Sequence, residues 1–332
     1  MVLFTRRTLL AAAAVTPILA APPLLRTADA RATSVTVASL LGEEKPETQV
    51  WRWIAARLED HLPGRFRFRI VTDGALGGEK SVADSTLLGS VQASLSTVST
   101  LASWVPELQL LDLPFLYRNG AHLDLTVNGE IGQGLVRRLA DEGFVVGGFI
   151  DYGPRHLLAK EAIVLPEQMD GRTMRVIQSR LHTSLWSGFG AIPVGIPITE
   201  TYNALSTGVV DAMDLTVSAY AGFKLYEVVP YLTETAHIRS AGVIFYAKAF
   251  WDGLGQEEKG VLMDVSAEAA GLFNEWMAAD EQASLEQVTS EGAHVIQADA
   301  RTLWERHAEP VWNEFEEIVG GRAAIEAVRA LG

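Results

Sequence analysis

The sequence predicts an α/β protein of two domains, and three observations support this prediction. The chain has 332 residues, 48% of them hydrophobic, which is enough for two separate cores. Extended and helical patterns alternate along it, as in a mostly parallel sheet with helices on both faces. No glycine- or serine-rich linker separates the two halves, so we expect several ordered crossings to join them and to form a hinge.

Residues 1–30 are expected to be an export signal. Arg6 and Arg7 precede an apolar run, residues 9–21, and the small side chains of Ala28 and Ala30 suit a signal peptidase. The run is too short and too rich in alanine for a stable membrane span. The paired arginines resemble a twin-arginine signal, and a general-secretion signal is the alternative.

Composition excludes several classes of function. The formal net charge of −14 argues against binding to nucleic acid or anionic lipid. The absence of cysteine excludes disulfides, thiolate zinc sites and thiol catalysis. No two histidines have the spacing of a metal pair, and Asp211 and Asp214 have few anionic neighbours with which to bind a cation. We therefore expect no metal and no cofactor.

Seven strands are predicted along the chain, each from an apolar or alternating run. They cover residues 35–41, 65–70, 91–98, 144–150, 174–177, 209–213 and 243–248. A first helix over residues 46–62 is indicated by Val50, Ile54 and Leu58 at helical spacing, and another is predicted over residues 129–141.

A long helix is predicted from residue 256 to residue 292. Its apolar positions, spaced three and four apart, are Leu262, Val265, Ala269, Leu272, Trp276, Ala279 and Ala283. A helix of this length is unusual in a compact domain. It is either one partner of a coiled coil or, as the short alanine-rich seam favours, a strut packed across both domains.

Several polar and aromatic side chains follow predicted strands, namely Glu44, Ser99, Thr100 and Tyr152. Ligands of open α/β sheets bind beyond the carboxyl ends of the strands, so these residues are expected to line a pocket. Tyr220 is a further candidate, since its ring can stack on a ligand. Glu44 has an equally ordinary explanation as part of an exposed loop.

Arg155 and Arg175 each lie beside a short apolar segment, where a guanidinium is costly to bury unless an anion meets it. The planar group can hold a carboxylate by two parallel hydrogen bonds. The two arginines are therefore candidate ligand-binding residues. The alternative for each is an internal salt bridge to one of the 41 acidic residues.

Signatures of common enzymes are absent from the sequence. There is no Gly-x-Ser-x-Gly elbow, no His-Glu-x-x-His and no phosphate loop. The alternative from the enzyme class is an exported lyase or hydrolase in which Arg175 holds a substrate carboxylate and Asp214 acts as base. A structural or signalling domain without transport is a third alternative.

The chain resembles the DctP-type solute-binding proteins of TRAP transporters over nearly its whole mature length. The segments that carry the resemblance are residues 73–79 (DGALGGE), 105–108 (VPEL), 112–117 (DLPFLY), 165–171 (LPEQMDG), 174–176 (MRV), 190–194 (GAIPV), 204–211 (ALSTGVVD) and 250–254 (FWDGL). Their order and spacing follow the family, and a joint match of this length is highly specific.

The resemblance implies a periplasmic binding protein fold, in which two α/β domains close over an organic acid and a long helix crosses both. Expected domain I is residues 33–152 plus 241–280, and expected domain II is residues 153–240 plus 281–332. The resemblance also implies a receptor without catalytic activity, whose partners are the membrane subunits of the transporter. We expect the protein to be a monomer.

The resemblance also assigns roles to single residues. Arg175 matches the family arginine that pairs with the substrate carboxylate, and Arg155 matches a second basic residue that many members use. Leu215 stands where many members have an asparagine that contacts the ligand. Because leucine cannot donate a hydrogen bond, this departure favours a ligand with an apolar portion, unless Thr216 or Asp214 compensates.

Overall fold

The computed structural model describes residues 32–298 and 301–331. The predicted export signal, residues 1–30, lies outside the described residues. Within the described part of the chain, no helix is both long enough and apolar enough to cross a membrane.

The described residues form one mixed sheet of nine strands with helices packed against it. The strands are β1 (Thr33–Ala38), β2 (Phe66–Val71), β3 (Ala93–Thr97), β4 (Phe144–Ala159), β5 (Thr173–Val176), β6 (Ile192–Gly195), β7 (Ala212–Thr216), β8 (Tyr231–Ala247) and β9 (His294–Gln297). Their order across the sheet is β2-β1-β3-β8-β4-β7-β5-β6, and β9 pairs with the first residues of β8.

Thirteen α-helices are described. They are α1 (Pro46–His61), α2 (Glu79–Leu87), α3 (Val98–Leu101), α4 (Gly120–Val127), α5 (Glu130–Asp141), α6 (Arg180–Gly188), α7 (Ile198–Ser206), α8 (Val217–Gly222), α9 (Lys248–Asp252), α10 (Gln256–Ser290), α11 (Arg301–Glu305), α12 (Ala308–Phe315) and α13 (Arg322–Arg329). Short 3₁₀ helices occupy Pro106–Asp112, Pro166–Met169 and Leu225–Glu227.

β4 and β8 lie next to each other at the centre of the sheet and connect its two sides. β1, β2 and β3 lie beyond β8, while β5, β6 and β7 lie beyond β4. The two long strands pair antiparallel, but the register shifts between Asp151 and Pro154 and again between Arg155 and Leu157. Gly153 has φ of +89° in this interval, a backbone conformation that favours glycine. The ladder is therefore interrupted midway along both strands.

An ion pair lies at the same level of the two strands. Arg239 of β8 donates from Nε to Asp151 of β4 at 2.7 Å, and Asp151 also accepts from the backbone of Gly153 at 2.8 Å. These contacts replace part of the lost ladder, so the irregular interval is specified by side chains as well as by glycine.

The long helix predicted over residues 256–292 is confirmed as α10, Gln256–Ser290. Val265 and Phe273 belong to the apolar cluster that also contains β1 and α1, whereas Val288 belongs to the cluster around β7 and α8. The helix thus packs against both apolar clusters. Other elements of the same chain cover its buried face. Its buried side is displaced from the predicted one, since Ala279 and Ala283 are exposed.

The seven predicted strands are present, but three features of the sheet were not predicted. β8 begins twelve residues before the predicted start, and β6 and β9 have no predicted counterpart. The first half of β8 is polar, yet Thr233 is buried because its hydroxyl donates to the carbonyl of Ile163 at 2.6 Å. The antiparallel pairings all involve β4 or β8, so the centre of the expected mostly parallel sheet is antiparallel.

Candidate functional site

Two adjoining cavities form a cleft at the ends of the strands. The outer cavity has a volume of about 360 Å³ and the inner one about 50 Å³. Both are lined by Glu79, Arg175, Ile177 and Ile198. Glu79 begins α2, beside β3, whereas the other three residues lie on the β5 side of the sheet. Arg175 lies in β5, Ile177 follows it and Ile198 begins α7. The cleft therefore lies between side chains from the two sides of the sheet.

A glycine-rich turn places Glu79 in the cleft. Gly77 has φ of +102°, and a Cβ at this position would come within 2.4 Å of Ser81 Oγ, so only glycine fits. The Glu79 carboxylate then accepts hydrogen bonds from the backbone of Thr97 at 2.6 Å and from Thr100 Oγ1 at 2.9 Å. Both oxygens are held, which fixes the side chain in the wall shared by the two cavities.

Arg175 is a cation of the cleft that has no counter-ion among the described residues. Its side chain is only 2% exposed, and its one hydrogen bond runs from Nε to the carbonyl of Ile196 at 2.9 Å. No described acidic residue forms a salt bridge with it. Burial, together with the nearby charge of Arg155, lowers the pKa of the Arg175 guanidinium to about 10. Its two terminal nitrogens are left free to bind an anion.

Arg155 forms an internal salt bridge. This was the alternative to ligand binding that the sequence left open for it. Its Nε lies 2.6 Å from Asp214 Oδ2, and its Nη2 donates to the Asp214 carbonyl at 2.8 Å. Burial alone would raise the pKa of Asp214, but the charge of Arg155 and a hydrogen bond from His237 outweigh it and hold that pKa well below its usual range. Arg155 still lines the inner cavity, with its charge already balanced.

Ser99 lies in a buried network behind the cleft. Its hydroxyl donates to Asp112 Oδ2 at 2.7 Å, and His182 Nε2 lies 2.8 Å from the same oxygen. In a Ser-His-Asp triad the serine and the aspartate contact different imidazole nitrogens. Here the aspartate meets the nitrogen nearest the serine, and all three side chains are almost completely buried, so the arrangement is structural.

Asp214 is also unsuited to the role of base that the enzyme alternative requires. Its carboxylate is completely buried and its pKa lies below the normal range, whereas a general base works best with a pKa near the operating pH. Asp211 accepts hydrogen bonds from Thr173 instead, so the two aspartates do not form a joint cation site. Among the described residues, no group of acids and histidines is arranged to hold a metal ion.

The structure divides the remaining predicted site residues into two groups. Thr100 lines the outer cavity, and Tyr152 and Leu215 line the inner one. Tyr220 is completely buried in the core, where its hydroxyl donates to the carbonyl of Val229 at 2.7 Å. Glu44 is exposed and lines neither cavity.

Glu47 was missed by the sequence analysis. It lies in the first turn of α1, lines the inner cavity and is only 6% exposed. Its Oε1 accepts from the backbone of Leu40 at 2.7 Å and from Ser39 Oγ at 3.4 Å. Burial, with a smaller contribution from the charge of Glu79, raises the pKa of Glu47 to about 7. An acid after a helix-starting proline is so common that the sequence gives no signal of this role.

Comparisons with known proteins agree on one family. The model of the DctP family, described as bacterial extracellular solute-binding protein, family 7, matches residues 37–318. A solute-binding protein of Verminephrobacter eiseniae is 28% identical over 83% of this chain and 82% of its own length. The C4-dicarboxylate-binding periplasmic protein DctP of Shewanella loihica is 27% identical over 87% of each chain.

A solved structure shows the same likeness. The TRAP periplasmic solute-binding protein of Shewanella oneidensis, with bound succinate, superposes with a TM-score of 0.86 at 26% identity. The match covers 90% of this chain and 99% of that one. The predicted class of fold, a binding protein of α/β architecture, is thereby confirmed.

Proposed function

Because this chain belongs to the DctP family of bacterial extracellular solute-binding proteins, we propose that it binds a small organic acid through an ion pair between Arg175 and the ligand's carboxylate. The family consists of periplasmic transport proteins of TRAP systems and not of enzymes, so this chain is a periplasmic solute receptor. The observation that carries the ion pair is the buried guanidinium of Arg175, which has no counter-ion among the described residues. The relative from Shewanella oneidensis holds succinate, which is itself a carboxylate.

The proposed binding step ends in closure of two lobes, residues 33–152 plus 241–280 and residues 153–240 plus 281–332. Interruption of the β4–β8 ladder near Gly153 supports a bend at that level. Closure would remove water from the Arg175–carboxylate pair, and the lower dielectric constant would strengthen it. The closed form would then be recognised by the transporter's membrane subunits. We expect one copy of the chain to bind one ligand.

A thermal-shift screen of organic acids tests the proposal. A ligand present at 100 times its dissociation constant adds about 2.7 kcal/mol to the free energy of unfolding. We expect one class of small organic acids to raise the midpoint of thermal unfolding, with one ligand bound per chain by calorimetry. Catalytic conversion of a hit, or a complete absence of carboxylate ligands, would contradict the proposal.

Replacement of Leu215 by asparagine is expected to change the ranking of ligands. Leu215 lines the inner cavity, so the variant buries an amide against the apolar part of the native ligand. An unpaired buried amide should weaken that ligand by about 1 to 3 kcal/mol, while polyhydroxylated acids lose less or gain. Calorimetry with one acid of each kind measures the difference, with Leu88→Asn as a surface control because Leu88 is 85% exposed. Equal shifts for both acids would mean that Leu215 only packs the core.

A further inference from the structure

We propose that the ligand carries an ammonium group as well as a carboxylate, and that Glu47 binds this ammonium group from the wall of the inner cavity. The cleft is then a receptor site for an amino acid or another zwitterion with an apolar body, and not for a dicarboxylate. This inference rests on the Arg175–carboxylate pair proposed above. The ligand's two charged ends would meet Arg175 and Glu47, which line the same small cavity.

The first support is the position of the Glu47 side chain. The residue is more than nine-tenths buried, yet it lines the cavity. Its contacts with Leu40 and Ser39 occupy only Oε1, and Oε2 has no hydrogen-bond partner in the described part of the chain. Carboxylate oxygens only accept hydrogen bonds, so Oε2 of an ionised Glu47 can accept a hydrogen bond from a donor on the ligand.

The second support is the balance of charge in the inner cavity. Two acidic and two basic side chains line it, namely Glu47, Glu79, Arg155 and Arg175. Asp214 neutralises Arg155, which leaves Arg175 opposite two carboxyl groups. One ligand carboxylate satisfies Arg175, but a second one would face Glu47 and Glu79 without a cation to receive it. Repulsion between like charges in a poorly solvated site disfavours that arrangement strongly.

The pKa of Glu47 agrees with this interpretation. Burial, reinforced by the charge of Glu79, raises it to about 7, so the surrounding protein groups stabilise the ionised form poorly. The charge of Glu79 also favours the charged form of Arg175, and the charges of both glutamates raise the pKa of Tyr152. These four side chains therefore lie close together around the inner cavity. An ammonium group beside Glu47 would supply the missing positive charge and hold the carboxylate ionised.

The remaining wall of the inner cavity determines which chemical groups the rest of the ligand can carry. Its apolar side chains are Leu40, Ile177, Ile198, Leu215, Ala219 and Phe223. The hydroxyls of Thr97, Tyr152, Thr216 and Ser240 line the same cavity. An aliphatic or aromatic body beside the two charged groups packs on the apolar part of this lining.

The test compares acids of equal length that differ only in their second group. Calorimetry on the wild-type protein would use 4-aminobutanoate, 4-hydroxybutanoate and succinate, then 5-aminopentanoate, 5-hydroxypentanoate and glutarate. A third series of leucine, 2-hydroxy-4-methylpentanoate and 4-methylpentanoate covers an amine next to the carboxylate. We expect the amine to bind at least tenfold tighter than its two counterparts in one or more series. The inference is overturned if the amine is the tightest ligand in none of the three series.

The variant Glu47→Gln separates a ligand contact from a structural role. Glutamine retains a carbonyl oxygen for the Leu40 amide, so the loop should keep its conformation. We expect the amine's advantage to fall at least tenfold, while the affinities of the hydroxy acids and simple acids change by less than threefold. Glu142→Gln is the matched control, because Glu142 is exposed and lines neither cavity. Equal losses for all ligands in Glu47→Gln would show that Glu47 only supports the fold.

The two proposals fail in different ways. If Arg175 does not bind the carboxylate, an alanine at that position leaves the affinity of every series unchanged. If only the Glu47 assignment is wrong, loss of Arg175 still removes binding, but the amine has no advantage in any series.

Discussion

Replacing Arg175 by alanine is expected to remove ligand binding and to leave the fold intact. Truncating one partner of a desolvated, hydrogen-bonded charge pair costs about 2 to 5 kcal/mol, or about 30-fold to 4,000-fold in affinity. The ligand-free protein should not be destabilised. Arg175 has no carboxylate partner among the described residues, so the substitution leaves no buried carboxylate unpaired. Removing a buried charge of this kind should instead keep or raise the free energy of unfolding.

Calorimetry with the best ligand of the screen, together with urea denaturation of the empty protein, measures both expectations. Arg175→Lys should also bind poorly, since a point charge replaces a planar group with parallel donors. Arg137→Ala serves as the control for charge, because Arg137 is exposed on α5 and lines neither cavity. Affinity near that of the wild type in Arg175→Ala would refute the assignment of this residue.

Asp214→Asn is expected to lower the free energy of unfolding strongly, unlike Arg175→Ala. The substitution removes the counter-ion of Arg155, whose side chain is 3% exposed, and leaves its charge buried without a partner. Breaking a buried ion pair on one side costs about 3 to 5 kcal/mol. Urea denaturation should show a lower midpoint, and His237 should lose its contact with the carboxylate as well.

Two controls show whether the loss comes from the unpaired charge. Asp252→Asn breaks an exposed pair with Lys248, in which both side chains are more than half exposed, and should change the free energy of unfolding by less than about 1 kcal/mol. The double variant Arg155→Met/Asp214→Leu removes both charges and should be more stable than Asp214→Asn. A double variant less stable than the single one would mean that the hydrogen bonds of Asp214, and not its charge, dominate.

Local patterns in the sequence predicted much of the fold. α1 and α10 were predicted with nearly correct ends, because apolar residues recur at helical spacing within each segment. The first half of β8 was not predicted, because its polar residues are buried by partners far along the chain. Thr233, for example, is satisfied by the carbonyl of Ile163. Burial of this kind depends on the assembled sheet and leaves no periodic pattern.

The candidate site was predictable to a similar extent. Arg175 was identified from its motif, and it lies in the cleft without a counter-ion in the part of the chain that the structure describes. The partner of Arg155 could not be chosen among 41 acids, because Asp214 becomes its neighbour only when β7 pairs with β4. Glu47 carries an ordinary helix-start pattern, and its role in the cavity follows from the course of the loop before it.

The order of the strands in the sheet differs from their order along the chain, and this also determines when the sheet can form. β3 receives its second neighbour only from β8, where Thr97 lies opposite Gly242, and β4 pairs with β8 along most of its length. Pairings between such distant segments form slowly, because a long loop must close before they contribute any stability. A nascent chain that has not yet reached β8 leaves an edge of β3 and an edge of β4 without a partner strand, and such edges can pair with another chain. The strand at the centre of the sheet is thus one of the last to be synthesised, and neither side of the sheet is complete before it arrives.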